Sequence, residues 1–455
     1  MSPWKACDIR GRYPQEVSPE LCLHIGAAVG LGLPPGSRVL VAGDFRLSTP
    51  MLKQALIDGL LGSGLDVLDA GQIPTPAAYF AHREWATDAV FIVTGSHNPV
   101  EYNGLKFMLG RLPPTEAEIA ELRRSAENVT PRRATAQAEG ICVVPRYQEW
   151  MLRRWAHLSD HRMDIVLDAG SGAFSEIAPA VLESLGFRPR RLFCEIDGAF
   201  PHRPPDCARA ANLMALRQEV SRWDAQLGIA WDGDGDRVAF VDDAGCAVSP
   251  DEVAILLARH FLRPGAAEKV VYDLKLSEAF PRTVVELGGM PIMERSGHAF
   301  IKRRAIQEDC LLGCEVSGHY FFRELDGGDD GLFAALLMTE LVSRNGPLHE
   351  LRKGLPEMCL TPDLRLAADR LSPVAVLERL RAALPVIRET TLDGFRLETA
   401  EGVVLIRSSI TEPVITMRVE GFRKAGLDRI LGICLSVLPE LLPQIEEQIR
   451  QMEHL

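Results

Sequence analysis

The sequence predicts an α/β protein: three related α/β domains with mixed sheets, followed by a smaller C-terminal α+β domain. Three observations carry this. A unit of apolar strand, Asp, helix, Gly and second strand recurs at residues 38–69, 163–193 and 269–293, and strand–helix–strand order implies largely parallel pairing. The pattern changes after Leu355-Pro356. At 455 residues the chain is too long for one core, and about 150 residues per domain gives roughly three domains, with four allowed.

Taken in order, Arg38-Val39-Leu40-Val41-Ala42-Gly43-Asp44 is an apolar strand ending in Gly-Asp. A helix with apolar spacing runs from Thr49 to about Leu61, stops at Gly62-Ser63-Gly64, and gives way to the strand Leu65-Asp66-Val67-Leu68-Asp69. Ala89-Val90-Phe91-Ile92-Val93 is a buried strand. Residues 128–140, with Pro131, Arg132, Arg133 and Gly140, read as a loop or linker. The second unit has a strand at 163–168, a helix over about 176–185, Gly186 as its stop, and a strand at 190–193; Leu227-Gly228-Ile229-Ala230-Trp231 adds another. Val248-Ser249-Pro250-Asp251-Glu252 caps a helix and opens the third unit. That unit has a strand at 269–273, a helix near 277–287, Gly288-Gly289, and the strand Pro291-Ile292-Met293. The last unit has a helix over 372–384, capped by Ser372 with Pro373 at its first position. Short strands at 402–406 and 413–419 follow, then a terminal helix from about Leu427. The expected domains are 1–145, 146–248, 249–358 and 359–455.

Apolar content of 47% and charged content of 25% are ordinary for a soluble globular protein. A net charge of -12 argues against nucleic acid or anionic membrane as a partner. No run of 18 apolar residues offers a membrane span. Met1 to Tyr13 carries Lys5, Asp8, Arg10 and Arg12 without an apolar core, unlike a secretory signal. The ten cysteines are scattered without a CxxC pair, and Cys310 and Cys314 have no His pair at zinc spacing. The expectation is buried, reduced thiols in a cytoplasmic protein.

Two stretches carry candidate chemistry. Thr94-Gly95-Ser96-His97-Asn98-Pro99 presents a hydroxyl at the end of the 89–93 strand. Asp232-Gly233-Asp234-Gly235-Asp236-Arg237 places three carboxylates two residues apart, and its glycines let them converge. Three like charges held together need a cation, and hard oxygen ligands favour Mg²⁺ or Ca²⁺. An EF-hand loop is excluded, because Arg237 and Asp243 stand where Gly and Glu are required. An acidic surface turn disagrees with the apolar flanks Trp231 and Val238-Ala239-Phe240-Val241. Ser96 needs activation to act as a nucleophile. His97 is adjacent, but neighbours in an extended segment point apart, so a Ser–His dyad is not expected. No GxSxG elbow is present. A hydroxyl carrying a phosphoryl group beside a metal fits the triad better. Taken alone, 94–99 reads as a plain turn.

The motifs together resemble those of the phosphohexomutase superfamily, in particular its bacterial phosphomannomutase/phosphoglucomutase branch. Lys5-Ala6-Cys7-Asp8-Ile9-Arg10-Gly11 is similar to the amino-terminal signature, with Cys7 where Tyr is usual. Residues 94–99 with Tyr102-Asn103-Gly104-Leu105-Lys106 are similar to the phosphoserine loop, and Asp232 to Arg237 to the metal loop. Gly313-Cys314-Glu315-Val316-Ser317-Gly318-His319 resembles the sugar-selecting loop, and Arg407-Ser408-Ser409-Ile410-Thr411-Glu412-Pro413 the phosphate-binding loop. The resemblance implies a central cleft to which each domain gives one loop. It implies a mutase that interconverts hexose 6-phosphate and hexose 1-phosphate, of mannose or glucose, through phosphorylated Ser96 and a hexose 1,6-bisphosphate. One Mg²⁺ would be held by the Ser96 phosphate, Asp232, Asp234 and Asp236. Arg10, His97 and Lys106 would surround the phosphoserine, with Arg237 beside the triad. Lys106 would serve as general acid/base if neighbouring cations lower its pKa. Glu315 and Ser317 would bind sugar hydroxyls, with His319, His298 and Lys275 at further substrate positions. Arg407, Ser409 and Thr411 would bind the non-transferring phosphate, assisted by Arg418. Partners would be small hexose phosphates, with no nucleic acid and no membrane, and the chain a monomer or weak homodimer. The fourth domain is expected to hinge over the substrate.

Two departures stand out. Ile410 occupies a position usually Gly or Asn, where φ > 0 would strain a β-branched residue. Cys314 replaces a usual Gly beside Glu315 and is expected to narrow the sugar loop. Three rivals remain at this stage. A phosphoglucosamine mutase shares the motifs. A haloacid-dehalogenase-type enzyme would use Asp232-Gly233-Asp234 with Asp329-Asp330, leaving Ser96 and the C-terminal loop unexplained. A sugar-phosphate binding protein would use the same loops without turnover.

Overall fold

The computed structural model describes residues 2–134, 136–361, 363–367, 372–408 and 414–453. The repeat expected from the sequence is present in three sheets of one strand plan. In the first, Asp66–Gln72, Arg38–Gly43 and Ala89–Val93 run parallel, and Tyr102–Leu109 and Ile9–Arg12 continue antiparallel. Arg188–Leu192, Asp164–Asp168, Leu227–Trp231, Val238–Asp242 and Ala247–Val248 repeat that order and those directions. Met290–Glu294, Lys269–Asp273, Leu312–Cys314, Tyr320–Phe322 and Gly328–Asp329 repeat them again. The strands before the switch to antiparallel pairing, Ala89–Val93, Leu227–Trp231 and Leu312–Cys314, are buried on both faces, which explains their unbroken apolar runs.

This plan positions the site. In each sheet the hairpin after that buried strand carries one candidate loop: residues 94–101, 232–237 and 315–319. Ligands of α/β sheets bind outside the carboxyl ends of strands, where the order of connection changes. Buried residues of all three units form one continuous core, with Trp155 packed edge-on to Phe333 at 5.4 Å and Phe80 against Tyr147 at 5.6 Å. The last unit has its own core. Its antiparallel sheet runs Cys359–Leu360, Val414–Gly421, Gly402–Ser408, Phe395–Glu398 and Arg388–Thr390, with Leu364–Ala367 also on Val414–Gly421.

Several elements differ from expectation. Gly331–Asn345 is a helix buried from Gly331 to Val342; apolar on every face through Met338, it carries no periodic signal there. Residues 128–140 end in the short strand Glu139–Gly140. The C-terminal unit has more strands than the two expected, because Arg388–Thr390 and Phe395–Glu398 are short and charged. Its helix begins at Lys424, and Leu442–Glu453 forms another. Among the described residues no helix is long and apolar enough to cross a membrane.

Candidate active site

Ser96 sits in a loop whose backbone is held from beneath. Arg46, only 1% exposed, donates from Nη1 to the carbonyls of Pro99 (2.7 Å) and Tyr102 (3.1 Å). Its Nη2 donates to those of Ser96 (2.7 Å) and Asn98 (2.5 Å). A Cβ at position 95 would collide with that guanidinium, so Gly95 is required there. Asp44, at the strand end, accepts from the Gly95 N–H (2.9 Å) and lies 2.9 Å from the Thr94 hydroxyl. Sequence reasoning missed Asp44 as a site residue and Arg46 altogether; Asp44 ending its strand was the available signal.

Ser96 is 2% exposed with φ 47°, a left-handed conformation unusual outside glycine. This overturns the expectation that Ser96 and His97 point apart. Ser96 Oγ lies 3.3 Å from His97 Nδ1 and donates to Asp232 Oδ2 at 3.1 Å. Burial and the positive charges of Arg237, Arg10 and Lys106 hold His97 well below its usual pKa, so its ring is neutral.

Asp232, Asp234 and Asp236 are buried, and their oxygens lie within 4.8 Å of one another. Asp232 Oδ1 accepts from the N–H groups of Gly235 (3.0 Å) and Arg237 (3.2 Å). Thr75 donates its hydroxyl to Asp234 Oδ2 at 2.7 Å. Lys106 Nζ lies 2.8 Å from Asp234 Oδ2 and also pairs with Asp236 Oδ2. Asp234 Oδ1 and Asp236 Oδ1 are buried without a hydrogen-bond partner among the described residues. Orphaned anionic oxygens facing like charges fit a hard divalent cation. Burial and the charges of Asp234 and Asp236 push Asp232 well above the usual carboxylate range; Lys106, against burial, holds Asp234 well below it. Burial pulls the Lys106 pKa down, but the bare charges of Asp234, Asp236 and Asp232 together raise it above normal, so beside the bare triad it is an ammonium ion.

The third loop closes on the second. Arg237 Nε donates to His319 Nε2 at 3.0 Å, and the two residues are paired across an antiparallel bridge. Arg10 pairs with Asp8 at 2.6 Å, and His298 Nε2 lies 3.9 Å from Asp8. Glu315 Oε2, Ser317 Oγ and His298 Nε2 are buried and have no hydrogen-bond partner among the described residues, leaving polar groups for a ligand. Asp273 accepts from Ser296 Oγ (2.5 Å) and the Lys275 N–H (3.0 Å); burial, then Glu315, raises its carboxyl to about 6. Lys275 Nζ reaches Asp363 at 3.1 Å. Cys314 does not narrow the loop as expected: it lies in the Leu312–Cys314 strand, fully buried in the core.

The fourth unit contributes differently. Arg407 pairs with Asp393 of its own unit; Ser409, Ile410 and Thr411 lie outside the described residues. Arg418 is a part-buried tie to the third unit, donating to the Lys275 carbonyl (2.5 Å) and Asp251 Oδ2 (3.2 Å). Asp329 and Asp330 do not form the acidic pair of the dehalogenase rival. Asp330 caps the Gly331–Asn345 helix, and Asp329 lies 2.7 Å from Lys302 Nζ.

Residues 4–133, 145–245 and 249–359 match the alpha/beta/alpha domains I, II and III of phosphoglucomutase/phosphomannomutase. The chain is 34% identical to the phosphomannomutase/phosphoglucomutase of Pseudomonas syringae pv. tomato, covering 97% of this chain and 96% of that one. It belongs to the phosphoglucomutase/phosphomannomutase family. A phosphoglucomutase of Neisseria gonorrhoeae is 33% identical, over 94% of each chain. Among solved structures, a phosphoglucomutase/phosphomannomutase family protein from Burkholderia thailandensis has a TM-score of 0.85 at 33% identity, covering 97% of this chain and 98% of that one. In this family member, the loops that sequence resemblance singled out in the first three units meet around Ser96 and the acidic triad.

Proposed function

We propose that the chain is a phosphohexomutase that interconverts hexose 6-phosphate and hexose 1-phosphate, of mannose and/or glucose, through phosphorylated Ser96 and a hexose 1,6-bisphosphate. The observation that carries this is the Ser96 hydroxyl, bonded to Asp232 at the edge of a buried carboxylate triad with two orphaned oxygens. Asp232, Asp234, Asp236 and the Ser96 phosphate would hold one Mg²⁺, which supplies charge neutralisation to the phosphoryl oxygens. Lys106, kept as an ammonium ion, adds fixed positive charge rather than base catalysis. His97 is neutral, and its Nδ1 takes or returns the proton at Ser96 Oγ. Arg10 and Arg237 face the phosphoryl group. Glu315, Ser317, His298, His319 and Lys275 orient the sugar. Arg407, Ser409 and Thr411 bind the phosphate that is not transferred, and Arg418 keeps that unit docked.

The division into 1–145, 146–248, 249–358 and 359–455 belongs to the same reading, with one loop from each unit. A single chain supplies the first three loops, which suits a monomer or weak homodimer. The ten cysteines form no disulfide, which suits the cytoplasm. The Glu315-Val316-Ser317 loop and the names of the relatives favour mannose and glucose over glucosamine. The test is an initial-rate comparison of mannose, glucose and glucosamine phosphates, with trace hexose 1,6-bisphosphate and Mg²⁺. Turnover of the first two supports the proposal; binding without conversion of any of the three refutes it.

A further inference from the structure

A buried chain of charges leads away from the triad into the third unit. Arg237 Nε donates to His319 Nε2, so the ring proton stands on Nδ1. Nδ1 lies 2.9 Å from Asp329 Oδ2, nearer than the 3.7 Å to Asp236 Oδ1. The other oxygen, Asp329 Oδ1, lies 2.7 Å from Lys302 Nζ. That ammonium sits 3.2 Å from the centre of the Tyr79 ring, in the first unit. His319, Asp329 and Lys302 are each 1–2% exposed. Both Asp329 contacts are ion pairs by distance, with angles short of strict hydrogen bonds. The chain thus starts in the first unit, crosses the third and ends on Arg237 of the second.

We propose that Asp329, anchored by Lys302, is a positioning residue that fixes the His319 ring with its proton on Nδ1 and so aims Arg237 at the reacting phosphate. A ring nitrogen that must accept from Arg237 needs its proton held on the far side, and a carboxylate there does that. The backbone bridge already sets Arg237 and His319 side by side, so only the ring orientation and its proton are left for Asp329 to fix. This assignment rests on the mutase reading for its consequences in catalysis, but not for the ring geometry.

The test follows from replacing the carboxylate by an amide. Asp329→Asn offers one oxygen to two donors. The Lys302 ammonium takes it, the amide NH₂ faces Nδ1, and the His319 proton moves to Nε2, where it opposes Arg237. A wrong tautomer of this kind follows when a carboxylate that orients a histidine is made an amide. In ¹⁵N-histidine NMR of the full chain at pH 8, the wild type should show His319 protonated on Nδ1, and Asp329→Asn should show it on Nε2. In the mutase assay kcat should fall about 10–100-fold, the usual cost of losing such a partner, with KM changed less than threefold (~0.7 kcal/mol). Lys302→Met in the Asp329→Asn background removes the competing donor; it should return the proton to Nδ1 and recover at least ~10-fold in kcat. An unchanged His319 tautomer in Asp329→Asn would overturn the proposal, as would a double variant no better than the single one. An inactive wild type would instead defeat the mutase reading, and the NMR comparison would still decide the ring geometry.

Discussion

Lys106→Met removes the one ammonium among the described residues that touches the triad. Its Nζ is buried and touches both Asp234 and Asp236. Breaking a buried ion pair by deleting one partner costs about 3–5 kcal/mol. The first three units share a core, so they should melt together. At about 1.3 °C per kcal/mol for a cooperative unit of roughly 350 residues, the melting temperature in EDTA should fall by roughly 4–7 °C. A divalent cation on the same oxygens compensates for the lost charge. At a concentration of 100 Kd, Mg²⁺ contributes about 2.7 kcal/mol, so it should close much of the gap between variant and wild type. The pH dependence has a defined sign. Asp234 is held below its usual pKa by Lys106, so its contribution is present at neutral pH and lost on acidification. Without Lys106 that contribution is gone, and the gap narrows only as pH falls below about 4. Thermal melts with EDTA, Mg²⁺ and Ca²⁺ measure all of this. Equal melting temperatures in EDTA, or a gap that Mg²⁺ leaves untouched, would refute the charge argument.

Other expectations follow from single contacts. Arg46→Met leaves four carbonyls of the serine loop without their donor; it should cost about 3–5 kcal/mol in thermal melts and at least ~10²-fold in kcat/KM, and near-wild-type values would contradict the cradle. Asp330 has its carboxyl raised to about 7 by burial. Its contribution is therefore full below about pH 4 and lost as pH rises through about 7. Asp330→Asn keeps the helix cap and should remove up to about 3 kcal/mol of pH dependence between pH 5 and 8; an unchanged slope would rule it out. Arg418→Met should speed hydrogen exchange in Val414–Gly421 and raise KM, since two ties to the third unit are lost; protection equal to wild type would show that Arg418 does not hold the units together.

Much of the fold was legible because its central strands are buried on both faces and write unbroken apolar runs, punctuated by Gly at each helix stop. The carboxylate triad was legible from its spacing and its apolar flanks. What stayed hidden has physical reasons. Arg46 acts on backbone carbonyls, which leave no trace in side-chain pattern. Ser96 adopts a positive φ that sequence does not announce for a serine, so its contact with His97 was missed. The direction of the Lys106 shift depends on Asp234 and Asp236, more than 120 residues away in sequence. The helix Gly331–Asn345 has no polar residue before Thr339 to mark its period.

The central claim is that Ser96 carries the phosphoryl group. The direct measurement loads the protein with ³²P-labelled glucose 1,6-bisphosphate, maps the label by peptide mass spectrometry, and chases it with unlabelled mannose or glucose 6-phosphate. The account predicts label on Ser96 alone, passed to the sugar within turnover, and no labelling of Ser96→Ala, whose turnover drops at least ~10³-fold. Label on Asp232, or a Ser96→Ala protein that turns over at the wild-type rate, would contradict it.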